Sequence, residues 1–281
     1  MNGFFNVIKP SGMTASDVVV FVRRVLKEKK VGHLGTLDPL ATGVLPVAVG
    51  KGTKLFNLLL NKRKTYLAFF TFGTETDTLD SDGQIVRQSE TLVSAEQIKE
   101  ACKLFLGKQI QIPPQYSAKK VNGSKAYDLA RKGETVELKG REIEIFKFDF
   151  LRQKDEKTFV FEIECSSGTY IRSIVRDLAE KLNTVGYMSA LIRTQSGPFS
   201  VLDGFTLDEI EKEKENLLVP VEFALNDLSD FIVDEKLYKK LCNGVKIQCE
   251  FDGYRKIFCG GEFFGVGKSE KGFLDLEFYL K

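Results

Sequence analysis

The sequence predicts an α+β fold: a large domain on a mixed, mainly antiparallel sheet with flanking helices, then a small β-rich domain. Three observations predict it. Residues 142–151 and 158–165 alternate apolar and polar side chains with a period of two, as half-buried strands do. Val18, Val19, Val22, Val25 and Leu26 instead recur at helical spacing. Finally, Gly253, Gly260, Gly261, Gly265, Gly267 and Gly272 cut residues 231–281 into runs too short for helices. With 43% hydrophobic and 11% aromatic residues, the chain has the material for a packed core.

Taken in order, residues 4–9 form a strand that ends in the turn Pro10-Ser11-Gly12. Ser16 caps a helix running to about Lys29. Residues 44–49 make a buried strand, 53–60 a short helix and 65–72 a second strand. Asp77 to Gly83 is a turn before a strand at 84–87. Ser94 with Gln97 forms a capping box for a helix to about Phe105. Residues 111–140 are polar and basic behind Pro113-Pro114, an excursion carrying one short helix near Lys125–Arg131. The strands 142–151 and 158–165 pair as a hairpin. A helix follows at 170–182, a strand at 188–194, and an acidic helix behind the capping box of Thr206 and Glu209. Residues 220–230 read as a linker. The expected division is therefore 1–225, with its insertion at 111–140, and 229–281.

Composition excludes several classes. No apolar run is long enough to span a bilayer, and the first residues lack the pattern of a secretory signal. A cytoplasmic location is expected. The five cysteines form no Cys-x-x-Cys pair and the single histidine completes no zinc site, so neither metal nor disulfide framework is indicated. Net charge is only +2, but its distribution is uneven. Basic clusters stand at Arg23, Arg24, Lys27, Lys29 and Lys30, at Lys62, Arg63 and Lys64, and at Lys119, Lys120, Lys125, Arg131 and Lys132. One such run is ordinarily a solvated face, whereas three together suggest a surface that tracks phosphates. Gly265-Val266-Gly267-Lys268-Ser269 is not a phosphate loop, because Glu262 stands where that motif needs glycine.

Residues 32–43, Gly-His-Leu-Gly-Thr-Leu-Asp-Pro-Leu-Ala-Thr-Gly, join the only histidine to an Asp-Pro step between turn glycines. Asp before Pro initiates turns, so the residues by themselves leave a structural role for Asp38 open. Together with Lys9-Pro10-Ser11-Gly12-Met13-Thr14-Ala15-Ser16, Lys64-Thr65-Tyr66, the turn at residues 76–83, Gly168-Thr169-Tyr170-Ile171-Arg172 and Leu191-Ile192-Arg193, the segment resembles the bacterial tRNA pseudouridine synthase B family. The resemblance covers essentially the first 225 residues, with the blocks in order.

That resemblance implies the pseudouridine synthase fold and the isomerisation of uridine 55 in the T loop of tRNA, without metal or cofactor. It implies Asp38 as nucleophile and Arg172 as the guanidinium that keeps it ionised and oriented. Asp80 becomes a second carboxylate of that network, and Tyr66 the aromatic residue that packs on the flipped base. Tyr170 and Leu191 line the uracil pocket, His33 enters the RNA where the base departed, and Lys9 supports the site without a chemical step. The insertion at 111–140 closes over the T stem–loop, with Tyr116 and Tyr127 available to pack or stack. The last domain is a PUA-like RNA-binding module, and the protein a monomer. The competing class is a non-catalytic RNA-binding or tRNA-folding protein with a degenerate site. That class leaves the Asp38, Tyr66 and Arg172 blocks unexplained.

Overall fold

The computed structural model of the chain describes residues 1–117, 120, 121, 124, 125 and 136–280. In chain order its elements are β1 (Gly3–Lys9), α1 (Ala15–Leu26), β2 (Val31–His33), β3 (Thr42–Val49), α2 (Phe56–Leu60), β4 (Lys64–Phe72), β5 (Thr74–Thr76), β6 (Ile85–Gln88), α3 (Ala95–Lys103) and β7 (Gly107–Gln111). Then come β8 (Lys120–Val121), β9 (Ser124–Lys125), β10 (Arg141–Gln153), β11 (Thr158–Cys165), α4 (Ile171–Lys181), β12 (Gly186–Ser196), β13 (Phe199–Ser200) and α5 (Leu207–Glu213). The last part holds β14 (Asp230–Val233), α6 (Glu235–Cys242), β15 (Ile247–Gln248), β16 (Gly253–Cys259), β17 (Glu262–Glu270) and β18 (Phe273–Tyr279). The short helix expected near Lys125–Arg131 lies, but for Lys125 in β9, outside the described residues.

A nine-stranded sheet runs β1-β3-β12-β4-β11-β10-β7, with β2 on β3 and β13 on β12. Every pairing is antiparallel except β12 with β3, where Ile192 meets Thr42 and Arg193 meets Gly43. One sheet face is apolar and packs under the helices. Ala68 and Phe70 of β4, Phe159, Phe161 and Ile163 of β11, and Val18 and Val22 of α1 join Ile174, Val175 and Leu178 of α4 in one buried cluster. The predicted hairpin exists, as β10 and β11.

Four expectations need correction. The cap of α1 is Thr14, not Ser16: the Thr14 hydroxyl accepts from Asp17 N at 3.1 Å, and the Asp17 carboxylate accepts from Thr14 N at 2.8 Å. This reciprocal pair opens the helix two residues earlier. The region expected to be a helix at 53–60 is a 3₁₀ stretch, Gly50–Leu55, before the single short α2.

The supposed linker is packed. Its turn Val221–Leu225 buries Val221, Ala224 and Leu225 in a cluster with Phe4, Val44 and Leu55 from the large sheet and Val266 and Phe278 from the last one.

The C-terminal part forms a five-stranded sheet, β14-β16-β17-β18-β15. It also contains α6, a helix the strand reading passed over. Asp234 caps it by accepting from Leu237 N at 2.7 Å, and Leu237, Tyr238 and Leu241 turn one face to the sheet. Leu225→Ala should cost about 2–5 kcal/mol in urea denaturation, the usual range for a large-to-small change in a sealed core. A loss below about 0.5 kcal/mol is the behaviour of an exposed linker and would contradict the packing described.

Candidate active site

Asp38 stands in the loop between β2 and β3. Its backbone carbonyl accepts from Ala41 N at 3.1 Å, so Asp38-Pro39 does make a turn. The side chain is free of that turn and points to Arg172. The turn and the site are therefore two uses of one residue.

Arg172 occupies the first turn of α4 and is almost wholly buried, its side chain 8% exposed. Its Nε lies 3.0 Å from Asp38 Oδ2, and its Nη2 donates to Asp38 Oδ1 at 3.2 Å, a two-point grip on one carboxylate. Nη1 lies 3.3 Å from Asp80 Oδ2 and donates to Thr78 O at 3.0 Å. Nη2 also donates to Tyr116 O at 3.1 Å. A guanidinium has five N–H groups, and five acceptors surround this one. Asp80 is buried at 7% exposure, while the Asp38 side chain is 34% exposed. Of the two carboxylates on this guanidinium, only Asp38 is open to an incoming group.

Asp80 is held from its other side. Its Oδ1 accepts from the Thr78 hydroxyl at 2.5 Å and from Asp82 N at 3.1 Å. Burial raises its carboxyl above the ordinary value, against the lowering pull of Thr78 and Arg172.

Helix α4 is set in place by Gln111 at the end of β7. The Gln111 amide donates to Tyr170 O at 3.1 Å and accepts from Tyr170 N at 2.8 Å. This fixes the residue that begins α4, two positions before Arg172. Nothing in the sequence reading singled out Gln111, since a lone glutamine in a polar stretch carries no signal.

Lys9 is fully buried at the end of β1. Its ammonium donates to the carbonyls of Pro10 at 2.8 Å, Met13 at 2.6 Å and Pro39 at 3.1 Å. All three protons are used, and Pro39 is Asp38's neighbour. Lys9 thus ties the Asp38 loop to the Pro10–Met13 turn. Burial pushes the ammonium down to about 8, with nearby Asp38 pulling the other way.

Tyr66 on β4 is buried among the core side chains. Its phenol is pushed up to about 12 by burial, opposed by the Arg193 guanidinium beside it. The phenol is therefore a weaker acid in the fold than in water.

Leu191 lines a cavity of about 440 Å³ with Pro39, Leu40, Thr42, Ser81 and Asp82, next to both acidic turns. His33 stands on β2 opposite Val47, outside the Arg172 network. Its Nδ1 is buried without a hydrogen-bond partner among the described residues, and burial lowers its affinity for a proton.

The second basic cluster is largely engaged within the protein, with Arg63 still exposed. Lys62 pairs with Asp227, and Arg63 contacts Glu164 at 3.1 Å and covers the Phe146 ring. Lys64 is buried, donating to Leu60 O at 2.7 Å and Lys62 O at 2.6 Å. In the first cluster, Arg23 donates to Val31 O at 2.8 Å and Arg24 meets Glu211 at 3.4 Å, yet both remain exposed, as do Lys27, Lys29 and Lys30. Of the third, Lys119, Arg131 and Lys132, with Tyr127, lie outside the described residues, as do the side chains of Lys120 and Lys125. Among the described residues no His, Cys, Asp and Glu side chains gather into a metal site, and no helix is long and apolar enough to cross a membrane.

Residues 23–171 match the family model described as TruB family pseudouridylate synthase (N terminal domain). Residues 172–226 match the tRNA pseudouridylate synthase B C-terminal domain. The chain belongs to the TruB family of pseudouridylate synthases.

Among TruB relatives, the tRNA pseudouridine synthase B of Clostridium perfringens is 40% identical over 285 residues, covering 97% of each chain. That of Alkaliphilus oremlandii is 43% identical over 253 residues, 89% of this chain and 84% of its own. Among solved structures, an H/ACA RNP bound to a substrate RNA containing 2'-deoxyuridine superposes with a TM-score of 0.76 at 23% identity, over 99% of this chain and 85% of that one. A Cbf5-Nop10-Gar1 complex gives 0.75 at 24% identity, over 98% and 83%. These two share the fold.

Asp80 supplies a test with a definite sign. Because its folded-state affinity for the proton is raised, the native state binds that proton more tightly than the unfolded chain, and Asp80 makes stability fall as pH rises through that range. Asp80→Asn should reduce the decline that sets in above the ordinary carboxylate range, about pH 4, in urea denaturation. A decline as steep as that of the unaltered protein would contradict the assignment.

Proposed function

We propose that the chain isomerises uridine to pseudouridine at position 55 in the T loop of tRNA, with Asp38 as nucleophile. The observation that carries this reading is the grip of one buried guanidinium on two carboxylates, of which only Asp38 faces open space. The family and the names of the relatives point to the same chemistry.

The reaction breaks the bond from ribose C1′ to uracil N1 and forms one from C1′ to C5; C5 loses a proton and N1 gains one. Nothing is consumed, so the protein has to supply a nucleophile, a dry pocket and proton carriers. Attack by Asp38 on sugar or base requires its charge, which a closing RNA would disfavour by excluding water. Arg172 offsets this and fixes the carboxylate plane. Flipping the base costs about a few kcal/mol of stacking and pairing, regained by packing against Tyr66, Tyr170 and Leu191. His33, which favours the neutral form, fits a role of filling the emptied stack. Lys9 serves by holding Pro39, and Asp80 by holding Arg172.

The insertion at 111–140, rooted where Gln115 and Val136 exchange hydrogen bonds at 3.0 and 3.2 Å, covers the T stem–loop. Residues 1–225 form the catalytic domain, and 229–281 a PUA-like module that extends the RNA contact. The protein acts as a cytoplasmic monomer.

Incubation with unmodified tRNA, followed by chemical mapping, should reveal pseudouridine at position 55 alone in the T loop. Asp38→Asn should yield none while binding tRNA within about 3-fold of the unaltered protein. Normal product from Asp38→Asn, or product at another T-loop position, would overturn the proposal.

A further inference from the structure

Arg193 on β12 heads the fully buried large side chains, with 1% of its surface exposed. Among the described residues no carboxylate forms an ion pair with it. An apolar side chain of similar volume would fill the space without the cost of burying a charge. The guanidinium must therefore do something that an apolar filler cannot.

Its partners show what that is. Nε donates to Val44 O at 2.7 Å, Nη2 to Gly35 O at 3.2 Å, and Nη1 approaches Thr36 O at 3.5 Å. Gly35 and Thr36 enter the loop that carries Asp38, and Val44 leaves it. One planar fork thus spans both roots of the loop.

The main chain of the same residue completes the clamp. Arg193 pairs with Gly43 in the parallel step between β12 and β3. Gly43 has φ +99°, and a Cβ there would lie 2.3 Å from Arg193 O. Only glycine permits so close an approach with that backbone.

Arg193 also lies directly opposite Tyr66 in the β12–β4 pairing, on the same sheet face. Its positive charge acts on the Tyr66 phenol against the effect of burial. The loop bearing the carboxylate and the aromatic residue of the cleft therefore share one anchor.

We propose that Arg193 is a positioning residue for the isomerisation: its fork sets the two ends of the Asp38 loop, and its place opposite Tyr66 in the sheet fixes that loop against the strand that carries Tyr66. It touches no substrate, and its division of labour with Lys9 is clear. Lys9 holds the loop beyond Asp38 at Pro39 O, while Arg193 holds the roots. A lysine at 193 would keep the charge, but a point donor on a flexible stem cannot match three carbonyls in a plane. The inference rests on the activity proposed above.

The test compares the unaltered protein with Arg193→Lys and Arg193→Gln. Single-turnover pseudouridine formation is measured at saturating enzyme, tRNA affinity by filter binding, and folding by circular dichroism. Both variants should bind tRNA within about 3-fold of the unaltered protein, and their single-turnover rates should fall by about 30-fold or more, Arg193→Gln at least as far as Arg193→Lys. A purely structural residue would not separate rate from affinity in this way. A rate within about 3-fold of normal in either variant would overturn the proposal. So would a loss of affinity that accounts for the lost rate, or failure of both variants to fold. An unaltered protein that makes no pseudouridine would instead remove the activity on which the inference rests.

Discussion

One guanidinium organises this molecule. Arg172 gathers the loop after β2, the turn after β5, the start of α4 and the backbone at Tyr116, segments far apart in sequence. Its burial is tolerable only because every N–H group has an acceptor close by. The arrangement is mutual: take the guanidinium away and Asp80 is left as a buried charge, the costly outcome for a broken buried pair. The same contact that makes the site chemically competent also holds the elements around it.

The rest of the scaffold supplies rigidity to that contact. The inserted strand β12 lies between β3 and β4, so it touches both the Asp38 loop and Tyr66. Lys9 and Arg193 spend their charges on backbone carbonyls, not on carboxylates. Buried cations used this way convert loops, ordinarily the most mobile parts of a protein, into fixed supports. The sheet's apolar face and helices give the site its foundation, and the cleft keeps one carboxylate oxygen pair within reach of solvent.

Much of this was legible in the order of residues. The alternating runs became β10 and β11, the capping boxes at Ser94 and Thr206 opened α3 and α5, and Asp38, Asp80 and Arg172 came together as the family resemblance implied. The remainder is hidden from local pattern for physical reasons. Thr14 caps α1 with Asp17 rather than the Glu or Gln of the usual box, so local pattern points to Ser16 instead. Residues 220–230 look like a linker because their few apolar side chains form no period, yet Val221, Ala224 and Leu225 are buried by partners from both ends of the chain. Helix α6 is short, and its neighbouring glycines suggest strands. Lys62, Arg63 and Lys64 look like a charged surface because sequence does not show that Asp227, Glu164 and backbone carbonyls wait for them. Gln111 and Arg193 act through partners 59 and about 150 residues away, a range that local pattern does not reach.

The central claim is that the two-point geometry of Arg172, beyond its charge, makes Asp38 an effective nucleophile. Arg172→Lys keeps the charge and removes the fork, so its single-turnover rate on tRNA at saturating enzyme isolates that geometry. The account predicts a fall of about 100-fold or more with tRNA affinity preserved. A rate within about 3-fold of the unaltered protein would show that a positive charge alone suffices, and would contradict the claim.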